Sequence, residues 1–149
     1  MNETHRHIEN RNMLTKKFLT DLTYTLLGAS IEVHKELGPG LLESVYEKCY
    51  KKELMLRGIN FQSQLYVPIC YKGVELDTEL RLDLLVENVM VVELKAMDAI
   101  APIHQAQLLT YMRLLEKPKG LIINFNCTNV FKEGQKTMVN DLYALLPEF

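Results

Sequence analysis

The sequence lacks the features that define several common classes of protein. It has no run of about 20 apolar residues, which a membrane-spanning helix requires. Its opening residues, MNETHRHIEN, contain no apolar core of a secretory signal. Its 3 cysteines are odd in number and show no CxxC spacing, which argues against a disulfide framework or a zinc site. These absences predict a cytoplasmic protein with reduced thiols and no membrane partner.

Further absences concern chemistry. There is no glycine-rich phosphate loop, and no serine or cysteine stands beside a histidine in a nucleophile motif, so an α/β enzyme acting on small molecules has little support. The formal net charge of −2 gives no overall attraction to nucleic acid, so such binding would need a local basic cluster. The best candidate, Lys48, Lys51, Lys52 and Arg57, is either a solvated helix face or a track for backbone phosphates.

The 149 residues are enough for one domain with a substantial core. Residues 1–12 are polar and without periodicity, which predicts a flexible lead-in to a single domain over residues 13–149. Apolar residues at helical spacing predict helices over 14–37, 41–58 and 101–117. Residues that favour β-structure predict strands over 61–73, 78–86, 89–96 and 120–125.

This order, ααβββαβ, predicts an α/β or α+β fold in which helices pack against one mixed sheet. The remaining segments fit a strand or hairpin over 129–139 and a closing helical turn over 140–149. The core-facing positions predicted for the first helix are Leu19, Leu22, Leu26, Ala29, Val33 and Leu37, widened by Phe18, Leu27 and Ile31. The core-facing positions predicted for the second helix are Leu42, Val45, Cys49 and Leu56. Those predicted for the third helix are Ile103, Ala106, Leu109, Leu114 and Leu115.

Three charges interrupt the two apolar strands in RLDLLVENVMVVELKA, residues 81–96. Carboxylates at Asp83 and Glu93 would be shielded from water, which is costly unless they are paired, hydrogen-bonded or bound to a metal. Carboxylate oxygens without histidine or thiol partners suit Mg²⁺, and Lys95 projects to the same side as Glu93. The pattern therefore indicates metal-assisted hydrolysis of a phosphodiester. The alternative is a structural ion pair of Lys95 with Glu93 or Asp83 on a half-exposed sheet.

The strand register gives a test of the functional interpretation. Asp83 and Glu93 are cross-strand neighbours only if the turn is centred on Asn88. A two-residue turn at Glu87 and Asn88 would place the two acids on opposite faces of the sheet. We therefore predict an odd-length loop or a β-bulge, with both acids on one face.

Several stretches together resemble a known family. RLDLLV followed by VVELKA resembles the D…ExK signature of the PD-(D/E)XK nuclease superfamily, and GLLESVY, residues 40–46, resembles the motif of its GxxExxY family. QLLTY, residues 107–111, fits the QxxxY element of some branches, and GLIINF resembles the strand that follows it. The similarity runs in order from about residue 22 to residue 125. It implies a restriction-endonuclease-like fold, a mixed central sheet flanked by helices.

The resemblance also implies roles for the metal-binding residues. Asp83 would be the principal metal carboxylate and Glu93 the second ligand. The backbone carbonyl of Leu94 would complete the protein contacts. Glu43 would approach from the start of the second helix, acting through a water molecule. The alternative for Glu43 is a carboxylate favoured there by the helix dipole.

The remaining implied roles concern water and phosphate. Lys95 would position and polarise the attacking water or stabilise charge that develops on the phosphorus centre. Gln107 and Tyr111, one helical turn apart, would face the site together. There Gln107 would orient the lysine or the water, and Tyr111 would contact the phosphate. Arg81 would either hold a carboxylate in place or touch phosphate.

Three other residues are predicted to be structural. Tyr46 and Tyr50 lie one turn apart and are expected to pack in the core. His34 is expected to cap or pack rather than bind metal, because no second histidine has matching spacing.

The function implied is a Mg²⁺-dependent nuclease, with Mn²⁺ as a substitute, that hydrolyses phosphodiester bonds in nucleic acid. The expected substrate is DNA more than RNA, with 5′-phosphate and 3′-hydroxyl products. The alternative is a module that binds nucleic acid or protein on the same scaffold without turnover.

Overall fold

The computed structural model describes residues 13–149, so the predicted lead-in over 1–12 lies outside the described residues. The helices are α1 (Lys16–Leu37), α2 (Glu43–Leu56), α3 (Pro102–Leu114), α4 (Val130–Glu133) and α5 (Asp141–Ala144). The strands are β1 (Phe61–Tyr66), β2 (Ile69–Tyr71), β3 (Val74–Leu76), β4 (Arg81–Val86), β5 (Met90–Lys95), β6 (Lys119–Asn124) and β7 (Gln135–Val139). No helix in residues 13–149 is long and apolar enough to cross a membrane.

Five strands form one mixed sheet in the order β1-β4-β5-β6-β7. Only the β5–β6 pair is parallel, and α3 provides the crossover that a parallel pair requires. The other three pairs are antiparallel. This mixed sheet flanked by helices confirms the predicted fold class, and it is consistent with a restriction-endonuclease-like architecture.

Apolar side chains cover both faces of the central strands. On one face Leu84 and Val92 belong to a core that includes residues of α1 and α2. On the other face Leu85 and Val91 pack in a second cluster with Met112 of α3. Because β4 and β5 are buried on both sides, any charge within them has to be accommodated by specific partners.

The predicted core positions of α1 are largely confirmed, but those of α2 are mostly wrong: only Cys49 packs against the core. The stripe from Leu19 to Val33 is buried, whereas Phe18 and Ile31 beside it are exposed. In α2 the buried residues are Tyr46, Tyr50 and Leu54, while the predicted Leu42, Val45 and Leu56 are exposed and Cys49 is half-buried. The helix is rotated because the two large tyrosines, rather than the aliphatic residues, fill the space above the sheet.

Three other predictions need correction. Helix α3 buries Leu108, Tyr111 and Met112, and the predicted Ile103 is exposed. The single strand predicted over residues 61–73 is two strands separated at Pro68, and β2 forms a separate hairpin with β3. Proline cannot donate a ladder hydrogen bond, which explains the break. The segment 129–139 forms a short helix and an edge strand, and the closing helical turn is confirmed.

Candidate functional site

The loop between β4 and β5 has an odd number of residues. Leu84 pairs with Val92 and Val86 with Met90, so the loop consists of residues 87–89 and is centred on Asn88. Extending this register places Asp83 opposite Glu93, and directly opposed residues share a face. The predicted odd-length loop is therefore confirmed.

Asp83 and Glu93 hold each other's strands by reciprocal hydrogen bonds. The amide N–H of Asp83 donates to Glu93 Oε1 at 3.2 Å, and the amide N–H of Leu94 donates to Asp83 Oδ2 at 2.8 Å. We call this arrangement the carboxylate clasp. Each carboxylate uses one oxygen in the clasp, so Asp83 Oδ1 and Glu93 Oε2 remain outside it.

The clasp brings two like charges together in a place that water hardly reaches. Glu93 is only 6 % exposed. Burial raises the pKa of the Glu93 carboxyl well above its usual range, and the charge of neighbouring Asp83 raises it further. Lys95 opposes this rise. A buried pair of carboxylates is stabilised either by a proton or by a cation placed between them.

Lys95 follows Glu93 on the same face of β5, but it does not form the structural ion pair that was the alternative. In residues 13–149 the ion pairs within 4.0 Å lie elsewhere: Lys16–Glu148, Lys17–Asp21 and Arg57–Glu53. The backbone of Lys95 is fixed instead, since its carbonyl accepts the N–H of Phe125 at 2.9 Å. Its ammonium group is near enough to Glu93 to oppose the rise in that carboxyl's pKa, but it forms no ion pair with either acid.

The start of α2 supplies Glu43 through a well-anchored loop. The hydroxyl of Tyr46 donates to the carbonyl of Gly38 at 2.6 Å and accepts the N–H of Leu41 at 3.1 Å. Between these two residues, Gly40 adopts a φ of 96°, which favours glycine. The ring of Tyr46 stacks on Phe125 at 4.6 Å between centroids. The packing role predicted for Tyr46 is confirmed, and the aromatic pair connects the helix start to the strand end at Lys95.

Glu43 lies within the electrostatic field of the clasp. Partial burial raises the pKa of its carboxyl, Lys95 opposes the rise, and the charges of Asp83 and Glu47 add to it. Glu43 is also in the first turn of α2, where the helix dipole favours a carboxylate. The position of Glu43 is therefore compatible with both interpretations: a role at the metal site, and a carboxylate favoured there by the helix dipole.

Helix α3 brings Gln107 and Tyr111 to the same place. Gln107 Nε2 donates to the hydroxyl of Tyr111 at 3.0 Å, as expected for residues one helical turn apart. Burial and then the charge of Glu93 raise the pKa of Tyr111, and Asp83 contributes in the same direction. Tyr111 therefore lies close enough to both carboxylates for their negative charge to raise its pKa.

Two neighbours of the clasp, Gln64 and Glu47, were not predicted from the sequence. Gln64 Nε2 donates to Glu47 Oε1 at 2.7 Å and to Asp83 Oδ1 at 3.4 Å. Gln64 lies opposite Asp83 in the β1–β4 register and has a φ of 53°, which departs from strand geometry. Regular alternation in β1 therefore gave no sign of it. Glu47 follows Glu43 by one turn, and that spacing was the one signal available.

Other residues singled out in the sequence have structural partners. His34 Nε2 lies 2.8 Å from the carbonyl oxygen of Cys127, consistent with the predicted packing role. The hydroxyl of the buried Tyr50 donates to the carbonyl of Leu26 at 2.9 Å, which confirms its packing role. In the basic cluster, Arg57 is paired with Glu53, so that cluster has one free cation fewer than the sequence suggested.

The comparison with known families agrees with this geometry. A family model of the PD-(D/E)XK nuclease superfamily matches residues 20–138. The chain belongs to the PD-(D/E)XK nuclease superfamily. No curated protein and no solved structure shows significant similarity to the chain. The part of this PD-(D/E)XK domain that the family model matches includes α2, β4, β5 and α3, which carry the clasp and its neighbours.

The donors of this PD-(D/E)XK domain fit a hard divalent cation. The clasp offers carboxylate oxygens without a histidine or thiol partner, and its like charges are those a cation would neutralise. Within residues 13–149, no group of three His, Cys, Asp or Glu side chains is arranged to hold a metal ion alone. Mg²⁺ usually takes one or two carboxylates and completes its coordination with water and phosphate. Asp83 and Glu93 match that requirement.

Proposed function

We propose that the protein is a divalent-cation-dependent nuclease that hydrolyses phosphodiester bonds, in DNA more than in RNA. The observation that carries this proposal is the carboxylate clasp of Asp83 and Glu93, with Lys95 on the same face and unpaired with either acid. A structural role alone would favour an ion pair or an apolar replacement at these buried positions.

In this proposal Asp83 and Glu93 would hold Mg²⁺, or Mn²⁺ in its place. The backbone carbonyl of Leu94 would add a third protein contact, and Glu43 would contribute from α2 through water. When bound, the cation supplies Lewis-acid stabilisation of the negative charge that develops on the phosphate.

The other residues orient the reactants. Lys95 positions the attacking water and favours its deprotonated form through its positive charge. Gln107 is held by its hydrogen bond to Tyr111 and directs its amide towards Lys95 or the water. Tyr111 contacts the phosphate. Attack in line with the leaving 3′-oxygen produces a 5′-phosphate and a 3′-hydroxyl, as the superfamily resemblance implies.

We also assign the chain to the GxxExxY branch. The residues of its motif have separate tasks in this proposal: Gly40 permits the turn before α2, Tyr46 anchors it, and Glu43 serves the site. The hydrogen bonds of Tyr46 to Gly38 and Leu41 support this division.

The test is cleavage of supercoiled plasmid, linear DNA, single-stranded DNA and RNA with Mg²⁺, with Mn²⁺ and with a chelator. We expect the purified protein to nick DNA only when a divalent cation is present. Asp83→Ala and Lys95→Ala should each abolish nicking. Lys35→Ala and Glu36→Ala, which change exposed residues at the end of α1, serve as matched controls and should cut like wild type.

Equal activity in Asp83→Ala, Lys95→Ala and wild type would identify a contaminating nuclease and remove the enzyme assignment. Retained binding of nucleic acid without any cleavage would favour the non-catalytic module. Preferential cleavage of RNA would overturn the proposed preference for DNA.

A further inference from the structure

An exposed aromatic and cationic pair lies beside the carboxylate clasp. Tyr66 at the end of β1 pairs directly with Arg81 at the start of β4. Arg81 precedes Asp83 by two residues in β4, so it lies within about 7 Å of the clasp along the strand. Because Tyr66 is opposite Arg81, the side chains of these two residues share a face of the sheet. Tyr66 is 60 % exposed, although it belongs to a strand of the main sheet.

Arg81 has no carboxylate partner within residues 13–149. Its guanidinium carbon lies 5.4 Å from the centre of the Tyr66 ring, which is cation–π geometry. The sequence left two roles open for Arg81, which were to hold a carboxylate in place or to contact phosphate. The structure disfavours the first. A guanidinium free of acidic partners is suited to phosphate.

The hairpin that follows repeats this combination. Among the strands that the structure describes, β2 and β3 pair only with each other, and most of their residues are exposed. Near the tip, Tyr71 is 61 % exposed and Lys72 Nζ lies 5.5 Å from the centre of its ring. An isolated two-stranded hairpin has little stability of its own in water, so a partner that covers it would stabilise it.

We propose that Tyr66, Arg81 and the β2–β3 hairpin bind an unpaired nucleic-acid strand that leads to the carboxylate clasp. This inference rests on the proposed nuclease function and specifies its substrate class. Tyr66 and Tyr71 stack on bases, and Arg81 and Lys72 contact the phosphates between them. The substrate is then single-stranded, or duplex with an unpaired segment at the cleavage point.

The chemistry favours a single strand over a duplex. The bases of a duplex are already stacked on one another, so an exposed tyrosine ring finds no free base to stack on. Duplex binding depends mainly on neutralising many phosphates with basic side chains. A chain with a net charge of −2 has no excess of such groups, whereas stacking works without them.

The experiment measures fluorescence anisotropy of a labelled oligothymidylate and of a duplex of equal length, with Ca²⁺ present to permit binding. We expect the single strand to bind at least about tenfold tighter. Tyr66→Ala should weaken its binding by roughly 5- to 100-fold, and Tyr66→Phe, which keeps the ring, should bind nearly as wild type. Arg81→Gln should weaken binding and reduce its dependence on salt.

Tyr24→Ala is the matched control, because Tyr24 is 66 % exposed on α1 and no basic group of residues 13–149 lies over its ring. It should bind as wild type. Equal affinity of the unmodified protein for single strand and duplex overturns the inference without any variant. Unchanged binding by Tyr66→Ala and Tyr71→Ala also overturns it. The inference fails as well if the protein is a dimer in solution and these variants become monomers without loss of binding, because the surface is then a contact between two copies of the chain.

The inference and the proposed function fail in different ways. If divalent-cation-dependent cleavage stands but neither tyrosine affects the choice of strand, only the inference fails. If single-strand binding depends on Tyr66 but no cation or substrate supports cleavage, the nuclease proposal fails and the binding surface remains.

Discussion

The two ends of the β4–β5 hairpin differ sharply, although they belong to the same pair of strands. Near the turn, Leu84, Val86, Met90 and Val92 form a regular ladder of buried apolar residues. At the open end, the carboxylate clasp links the strands by hydrogen bonds from backbone N–H groups to side-chain carboxylates. One end stabilises the fold, and the other holds charges that a stable core would avoid.

This difference shows how a small domain can carry a buried charged site. The apolar ladder fixes the strand register, and the register then determines that the two acids face each other. Burying the two carboxylates costs free energy, and the rigid apolar ladder beside them offsets that cost. Two consequences follow: residues of the ladder should affect stability first, and residues of the clasp should affect activity first.

The largest effect is expected from Glu93→Gln. The amide oxygen of glutamine still accepts the N–H of Asp83, but the neutral side chain is a poor ligand for a divalent cation. We expect kcat/KM for DNA cleavage to fall at least about 100-fold, because metal-ion catalysis contributes several kcal/mol. The melting temperature without metal should not fall. Activity within a few-fold of wild type would show that the clasp does not serve catalysis.

The opposite pattern is expected from Leu84→Ala at the apolar end. Leu84 is fully buried, so its truncation should lower the free energy of unfolding by about 2–5 kcal/mol in urea denaturation. Leu56→Ala, on the exposed side of α2, is the matched control and should change it by no more than about 0.5 kcal/mol. Similar losses in both variants would mean that burial in the ladder does not determine stability.

The sequence predicted the loop of the β4–β5 hairpin better than the buried faces of the surrounding helices. The even separation of Asp83 and Glu93 required an odd loop, and the loop of residues 87–89 has that length. The faces of α2 were less predictable, because an aliphatic stripe and a tyrosine row compete on the same helix. In the structure the row with Tyr46 and Tyr50 is the buried one.

The orientation of α2 has a consequence for the site. Glu43 and Glu47 are on the side of α2 that carries Tyr46 and Tyr50, so the rotation that buries the tyrosines also turns the acids towards β4. Gln64 was unpredictable for another reason. Its positive φ depends on tertiary contacts with Glu47 and Asp83, and no local pattern encodes them.

A third prediction concerns pH in the absence of metal. The pKa of Glu93 is raised in the folded protein, so the folded state holds this proton more tightly than the unfolded chain. That contribution to stability is complete below the ordinary value of 4.5 and is lost as pH rises through the folded pKa. Urea denaturation of wild type with a chelator should therefore show declining stability between about pH 5 and about pH 8.

Glu93→Gln provides the control for this pH dependence. It should show a flatter profile, because the group that releases the proton is gone. Addition of Mg²⁺ or Mn²⁺ should restore stability to wild type at about pH 8 and leave the variant unchanged. Parallel profiles for wild type and variant would show that Glu93 is not the group responsible.

The smallest effect is expected from Tyr46→Phe, which tests a residue that belongs to both regions. Its ring is part of the core, while its hydroxyl fixes the loop that presents Glu43 to the clasp. Loss of the two hydrogen bonds should lower the free energy of unfolding by about 1–2 kcal/mol, and the stacking on Phe125 should persist. Tyr24→Phe, on the surface, should be neutral. A fall in kcat beyond that of an equally destabilised core variant would show that the loop, and not only the fold, positions Glu43.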